Sequence, residues 1–130
     1  MRYLIIDDNQ KMIKIIRQIL SVQEFAANIH SDILPEDKDI IIECSDVRNA
    51  VAYYEKYQPD YVLIDIQIQK MRGLNVLKEI LKEFPDAKII IITDYDTPSS
   101  RIVAMEAGAT AFISKENLFE LKRIINQKHL

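Results

Sequence analysis

The sequence predicts an α/β fold in which crossover helices cover a five-stranded parallel sheet. Short apolar runs alternate five times with segments of helical periodicity, which is the pattern of repeated βαβ units. The central runs are apolar throughout, as expected of parallel strands buried on both faces. A chain of 130 residues with 48% hydrophobic content is long enough for one domain with its own core, so we treat residues 1–130 as one unit.

Each predicted strand is an apolar run that ends at polar or turn-forming residues. We expect strands at residues 2–6, 39–44, 61–64, 88–92 and 111–113. The single cysteine, Cys44, ends the second run, and we expect it to be a small buried side chain. A chain with one cysteine has no internal disulfide framework, which is consistent with a reducing cytoplasm.

The connection between the first predicted helix and the second predicted strand is unusually long. The first helix carries an apolar stripe over residues 12–20, and residues 23–29 could extend it. Residues 21–38 form a longer connection to the second strand than is usual, and we expect its second half to be a surface loop. Asp46 is expected to cap the second helix, because its carboxylate can accept hydrogen bonds from the first N–H groups.

Turn-forming residues set the limits of the other three helices. Pro85 lies just past the third helix, since proline does not continue a helix. Gly108 follows the fourth helix, predicted at about residues 99–107, where a left-handed C-terminal cap favours a residue without Cβ. The fifth helix is expected to run from about Asn117.

Polar residues lie at the ends of four predicted strands, and Asp65 is the most informative of them. Asp7 and Asp8 follow the first strand, Asp65 the third and Thr93 the fourth, while Lys115 lies just past the fifth. The carboxyl ends of parallel strands share one edge of the sheet, where open α/β sheets bind their ligands. Three carboxylates, a hydroxyl and an amine are therefore expected to converge, and that set suits a divalent metal and a phosphoryl group.

The chemistry of this set predicts a phosphoryl acceptor. Clustered carboxylates repel one another unless a cation intervenes, and Mg²⁺ binds few protein carboxylates while it keeps water or phosphate oxygens. Asp65 could attack phosphorus to give an aspartyl phosphate. Lys115 could pair with one phosphoryl oxygen and Thr93 could hydrogen-bond another. The structural alternative for Asp7 and Asp8 is that they only cap the first helix.

These motifs together give the chain a family resemblance. It resembles the receiver domain of bacterial two-component response regulators in five stretches that occur in the family's order. They are LIIDDN at residues 4–9, PDYVLIDI at 59–66, MRGL at 71–74, IIIITDY at 89–95 and AGATAFISK at 107–115. The resemblance implies a doubly wound, flavodoxin-like three-layer sandwich with strand order 2-1-3-4-5. It also implies a signalling domain that catalyses only its own phosphorylation and dephosphorylation.

The resemblance assigns roles to individual residues. It implies that Asp65 accepts a phosphoryl group from a sensor histidine kinase or phosphotransfer protein, and that Thr93 and Lys115 read that group. It implies that Mg²⁺ is held by three carboxylates and one backbone carbonyl, those of Asp7, Asp8, Asp65 and Gln67. Phe112 matches the family's switch aromatic, which turns inward when the threonine moves.

The expected partners are proteins. A downstream protein or output domain would bind the face formed by the fourth helix, the fifth strand and the fifth helix, and a homodimer is possible. The net charge of −3 argues against direct nucleic-acid binding, since such surfaces are normally basic. No apolar run approaches the length of a membrane span, so we expect no membrane partner and a cytoplasmic location.

Three residues depart from the family's usual pattern. Asp94 follows the threonine where a small residue is usual, so its charge must either repel the phosphoryl group or turn outward. Glu116 and Gln69 stand where proline is common, and we expect a trans peptide before Glu116. Asp94 keeps open a pseudo-receiver that binds proteins without phosphorylation. A flavin-binding carrier is a further alternative, although the acidic turn at residues 7–9 would repel a flavin phosphate unless a metal were bound.

Overall fold

A five-stranded, all-parallel sheet forms the centre of the domain. The computed structural model describes residues 1–28, 39–94 and 96–129, with side chains for 1–21, 39–94 and 96–127. The strands are β1 (Arg2–Ile6), β2 (Ile40–Cys44), β3 (Tyr61–Asp65), β4 (Ile89–Thr93) and β5 (Ala111–Ser114). Their order in the sheet is β2-β1-β3-β4-β5. The predicted fold class and strand order are therefore confirmed.

Helices connect the strands and cover both faces of the sheet. Within the described ranges they are α1 (Gln10–Asn28), α2 (Ala50–Tyr57), α3 (Gly73–Glu83), α4 (Pro98–Glu106) and α5 (Leu121–His129). Short 3-10 helices at Val47–Asn49 and Lys115–Glu120 precede α2 and α5. A helical turn at Ile68–Met71 links β3 to α3.

The core is divided into two apolar clusters by the sheet. Alternate residues of a strand point to opposite faces, so Leu4 lies in one cluster and Ile5 in the other. The first cluster packs β-strand residues against α2 and α3, and the second packs them against α1 and α5. Cys44 is 2% exposed and belongs to the first cluster, as expected of a small core residue. This is the predicted three-layer arrangement.

Several boundaries differ from the predicted ones by a few residues. β3 and β4 each include the polar residue that the sequence placed after the strand, so Asp65 and Thr93 are themselves strand residues. Asp46 caps the 3-10 helix before α2, because its carboxylate accepts a hydrogen bond from the Arg48 N–H at 2.9 Å. α1 continues to Asn28, so the predicted extension is present, while residues 29–38 of the long connection lie outside the described residues.

The last helix begins later than predicted. Ser114 accepts a hydrogen bond from the Glu116 N–H, and this starts a 3-10 helix instead of an α-helix. Asn117 has a non-helical backbone with φ −116°, so regular α5 begins only at Leu121. At the end of α4, Gly108 has φ +110°, which confirms the expected turn residue without Cβ.

Candidate functional site

The carboxyl ends of the strands bring the predicted polar residues to one edge of the sheet. Asp65 is the last residue of β3 and Thr93 the last residue of β4, and Thr93 lies in register with Ser114 of β5. Asp7 follows β1 directly, and its N–H donates to the carbonyl of Cys44 at 3.1 Å. Because the strands are parallel and in fixed register, these side chains are placed by the sheet itself.

Three carboxylates meet at this edge. Oxygen atoms of Asp7, Asp8 and Asp65 all lie within 4.8 Å of one another. Asp7 is 2% exposed and Asp65 is 6% exposed, while Asp8 faces solvent. Burial raises the pKa of Asp7 from 3.8 to about 6, and burial likewise raises the pKa of Asp65. Burial therefore disfavours the charged form of both carboxylates.

The acidic cluster fits a magnesium ion. Mg²⁺ has oxygen ligands at about 2.0–2.1 Å, so two ligands on opposite sides of it are about 4.2 Å apart. This is the largest separation that two ligands of one ion can have, and the three carboxylate oxygens, which lie within 4.8 Å of one another, are close to that limit. Two of the carboxylates are also oriented by backbone, since Asp7 accepts from the Asn9 N–H at 2.9 Å and Asp65 from the Gln67 N–H at 3.0 Å.

Asn9, and neither Asp7 nor Asp8, caps the start of α1. The side-chain oxygen of Asn9 accepts hydrogen bonds from the N–H groups of Lys11 and Met12 at 3.0 and 3.2 Å. The alternative that Asp7 and Asp8 only cap the first helix is therefore wrong. Their carboxylates are left to the acidic cluster.

Lys115 supplies a positive charge to the cluster. Its ammonium nitrogen lies 3.6 Å from Oδ2 of Asp65, and its side chain is 10% exposed. Thr93 is fully buried and follows Ile92, the register partner of Asp65 in β4. The structure thus brings Lys115 to Asp65 as the sequence predicted, while the parts that Lys115 and Thr93 would take with a phosphoryl group stay predictions.

The loop after β3 has an unusual backbone and is tied to two neighbouring loops. Gln69, Lys70 and Met71 have positive φ values of 44°, 65° and 69°, which non-glycine residues seldom adopt. The Gln69 side chain accepts a hydrogen bond from the Val47 N–H at 2.6 Å, and its own N–H donates to Asp8 at 3.3 Å. Sequence reasoning missed this tether, although it noted Gln69 as a departure from proline.

Gln67 and Gly73 fix the two ends of the same loop. The Gln67 carbonyl, predicted as a metal ligand, accepts from the Met71 N–H at 3.2 Å and has a second lone pair, so its metal role stays a prediction. A Cβ on Gly73 would lie 2.5 Å from the Cα of Ile66 and 2.6 Å from the carbonyl oxygen of Asp65. Only glycine allows α3 to start this close to the strand that carries Asp65.

Phe112, the predicted switch aromatic, is buried in the structure. It is 5% exposed and lies in the cluster packed by α2 and α3. The guanidinium of Arg101 covers its ring at 4.8 Å from the centroid, and Arg101 also donates to the Phe112 carbonyl at 3.4 Å. The ring is thus held against α4 by a residue of that helix, while movement of the ring stays a prediction.

The departures Asp94 and Glu116 do not displace the site residues. Asp94 is 62% exposed, and its Oδ2 lies 3.7 Å from the ammonium of Lys115. Its N–H donates to the side-chain oxygen of Gln67 at 3.4 Å. The peptide bond before Glu116 is trans, as expected.

The fold and its acidic edge place the chain in the receiver class of two-component signalling domains. The chain belongs to the response regulator receiver domain family, which matches residues 23–126. The chemotaxis protein CheY of Thermotoga maritima is 31% identical over 124 residues, which are 95% of this chain and 91% of that protein. A CheY-like receiver domain from Methanospirillum hungatei, solved by crystallography, is 26% identical with a TM-score of 0.76, covering 98% of this chain and 91% of that one.

Other relatives are longer than this chain. The transcriptional regulatory protein DegU of Brevibacillus brevis is 29% identical over 112 residues, which cover 86% of this chain and 42% of that protein. The chain therefore spans less than half of that regulator. No helix among the described residues is both long and apolar enough to cross a membrane.

Proposed function

We propose that this chain is a phosphoacceptor receiver that takes a phosphoryl group on Asp65 from a histidine kinase or phosphotransfer protein. One observation carries the proposal: the Asp65 carboxylate is 6% exposed at the end of β3, between two other carboxylates and the Lys115 ammonium at 3.6 Å. A buried carboxylate with this much nearby negative charge is unfavourable for stability, and a catalytic role explains it. Membership of the receiver family supports the same role.

The geometry suggests how the transfer proceeds. Asp65 holds one oxygen in the hydrogen bond to the Gln67 N–H, which fixes the plane of its carboxylate. The other oxygen attacks phosphorus while the bond to the donor's leaving atom breaks and its electron pair departs with the leaving group. In this mechanism Lys115 would neutralise charge that builds up on the phosphoryl oxygens, which its ammonium at 3.6 Å from Asp65 supports, and Thr93 would donate a hydrogen bond to them.

The acidic cluster would hold Mg²⁺ through Asp7, Asp8, Asp65 and the carbonyl of Gln67. When bound, the ion offsets the repulsion between the donor and the carboxylates. The raised pKa values of Asp7 and Asp65 support this role, because burial disfavours the charged form of both carboxylates and a bound cation would stabilise it. The chain's own contribution is to hold these oxygens in place through the hydrogen bonds to Asn9 and Gln67.

The signal would be read on the face formed by α4, β5 and α5. This face has a cavity of about 440 Å³ to which all three elements contribute residues. Met105 of α4 lines it, and Ile102, Val103 and Phe119 are further exposed apolar side chains of α4 and of the 3-10 helix before α5. A downstream protein, an output domain or a second copy of the chain would bury them. We place the domain in the cytoplasm, where histidine kinases deliver phosphoryl groups.

Phosphorylation with a small-molecule donor tests the proposal. Treatment with acetyl phosphate and Mg²⁺, or with beryllofluoride as a mimic, should add a single group that intact-mass analysis detects. The Asp65→Asn variant should take up none, and the exposed Asp86→Asn variant should behave as the wild type. An adduct that persists in Asp65→Asn would refute the assignment.

The test also separates the receiver from the pseudo-receiver. Asp94 favours a pseudo-receiver, because its carboxylate competes for Lys115, the cation that would bind the phosphoryl group. A folded wild-type protein that takes up neither donor nor mimic at saturating Mg²⁺ would support that alternative. The flavin-binding alternative remains disfavoured by the acidic cluster, and a colourless purified protein would exclude it.

A further inference from the structure

Asp94 shares the site's lysine with the phosphoacceptor. The ammonium of Lys115 lies 3.6 Å from Oδ2 of Asp65 and 3.7 Å from Oδ2 of Asp94. The side chain of Asp94 is 62% exposed and that of Lys115 is 10% exposed, so Asp94 lies on the solvent side of the ammonium. Asp94 therefore places an exposed negative charge next to the lysine that pairs with Asp65.

The backbone holds Asp94 in this position. Asp94 follows Thr93, whose place in β4 is fixed by pairing with Ser114. Its N–H donates to the side-chain oxygen of Gln67 at 3.4 Å, so the loop after β4 is joined to the loop after β3. The carboxylate is therefore kept close to the site by two independent elements, and it is not simply a charge on a long surface side chain.

We propose that Asp94 makes the site discriminate between phosphoryl donors by their charge. It slows uptake from small donors that carry two negative charges, such as acyl phosphates, more than uptake from donors that carry one. The inference rests on the proposed phosphoacceptor function and adds a selectivity to it. Coulomb repulsion is proportional to the donor's charge, so the fold-effect for a doubly charged donor is roughly the square of that for a singly charged donor.

Two donors differ in charge but deliver the same group. With acetyl phosphate, a doubly charged anion near neutral pH, an Asp65 oxygen bonds to phosphorus as the P–O bond breaks, and acetate leaves with the electron pair. With phosphoramidate, a zwitterion of one net negative charge, the P–N bond breaks and ammonia leaves with the pair. The product is the same aspartyl phosphate in both reactions, so any difference reflects the approach of the donor.

The experiment compares wild type, Asp94→Asn and Asp96→Asn with both donors at saturating Mg²⁺. Asparagine keeps the size of aspartate and removes its charge, and Asp96 is an exposed control that pairs with Arg101 instead of Lys115. Intact-mass time courses give the second-order rate constant. We expect Asp94→Asn to raise the rate constant about tenfold with acetyl phosphate and about threefold with phosphoramidate. Both increases should become smaller as the salt concentration rises. Asp96→Asn should leave both rates unchanged.

The outcomes separate this inference from the proposed function. If wild type and variants all fail to form an adduct with either donor, the proposed function fails, and this inference fails with it. If wild type forms the adduct and Asp94→Asn reacts at the same rate or more slowly, only this inference is overturned. Equal gains with both donors that do not depend on salt would also overturn it, because they would show that the substitution merely frees Lys115.

Discussion

The side chain of Gln69 accepts a hydrogen bond from the backbone N–H of Val47 at 2.6 Å, which ties the loop after β3 to the turn after β2. The N–H of Gln69 also donates to the Asp8 carboxylate at 3.3 Å. One residue therefore connects three loops around the acidic cluster. A proline at this position has neither an N–H nor a side-chain carbonyl, so the connection depends on the glutamine that this chain carries.

The first prediction concerns that connection. Gln69→Met keeps the length of the side chain and removes the acceptor, which leaves the partly buried Val47 N–H without its partner. We expect the free energy of unfolding to fall by about 1–3 kcal/mol in urea titrations. Gln18→Met, the same substitution on the exposed face of α1, should change it by less than about 0.5 kcal/mol. Equal losses in the two variants would contradict the prediction.

The second prediction concerns Mg²⁺. The ion binds only the folded protein, so it should raise the melting temperature, by about 3–6 °C for each kcal/mol of binding energy. Asp8→Asn removes a ligand charge but retains an acceptor for the Gln69 N–H, and it should lose most of this response. Asp86→Asn is the matched control at an exposed position. An undiminished response in Asp8→Asn would exclude Asp8 from the metal site.

The third prediction concerns pH in metal-free protein. The pKa of Asp7 rises from 3.8 to about 6 on folding, so the folded state keeps a proton that the unfolded chain releases as pH rises from about 4 to 6. Stability is therefore lost over that interval and the loss is complete above pH 6, at a cost on the order of 2–3 kcal/mol.

Asp7→Asn should remove this pH-dependent loss of stability, and the asparagine side chain keeps an oxygen that can accept from the Asn9 N–H. The variant should be more stable than wild type well above pH 6 and no more stable below pH 4 in denaturant titrations with a metal chelator. The exposed carboxylate of Asp60 also accepts a backbone N–H, so Asp60→Asn is the control and should show no such gain. A gain of the same size at both pH values would mean that charge is not the cause.

The fourth prediction concerns the output face. Beryllofluoride should change NMR chemical shifts mainly within residues 93–128, through Thr93, Phe112 and the Arg101 that covers it. The coupling free energy between beryllofluoride binding and the conformation of the output face is expected to be about 1–3 kcal/mol. The populations of the two conformations should therefore shift without an all-or-none transition. Phe112→Leu should weaken the changes in α4, whereas Phe84→Leu, in the ring pair with Tyr54, should not. Changes confined to the loop after Asp65 would refute this readout.

The sheet and the position of the site could be predicted because both depend on local patterns. Apolar runs that end in Asp65 and Thr93 place those residues at strand ends, and parallel pairing brings strand ends together. The same reasoning located Lys115, which the structure puts 3.6 Å from Asp65. These conclusions required only which residues are apolar and where each run stops.

The connections between loops could not be predicted in this way. Gln69, Lys70 and Met71 adopt positive φ without a glycine or asparagine to indicate it, so nothing local predicts that the Gln69 side chain reaches Val47. The same holds for Gln67 and Asp94, whose contact depends on the relative position of two loops. Sequence reasoning expected Asp94 to repel a phosphoryl group or turn outward, and it did not predict that the carboxylate pairs with Lys115.

The sheet order has a consequence for the protein during its synthesis. β1 lies between β2 and β3, so it pairs with two strands that are made after it, and its pairing with β3 brings Asp7 close to Asp65. Lys115 follows β5, which is made after the other four strands of this sheet. A chain made only as far as β4 therefore lacks the lysine of the candidate site. The set of polar side chains at this edge of the sheet is complete only when β5 has joined the sheet.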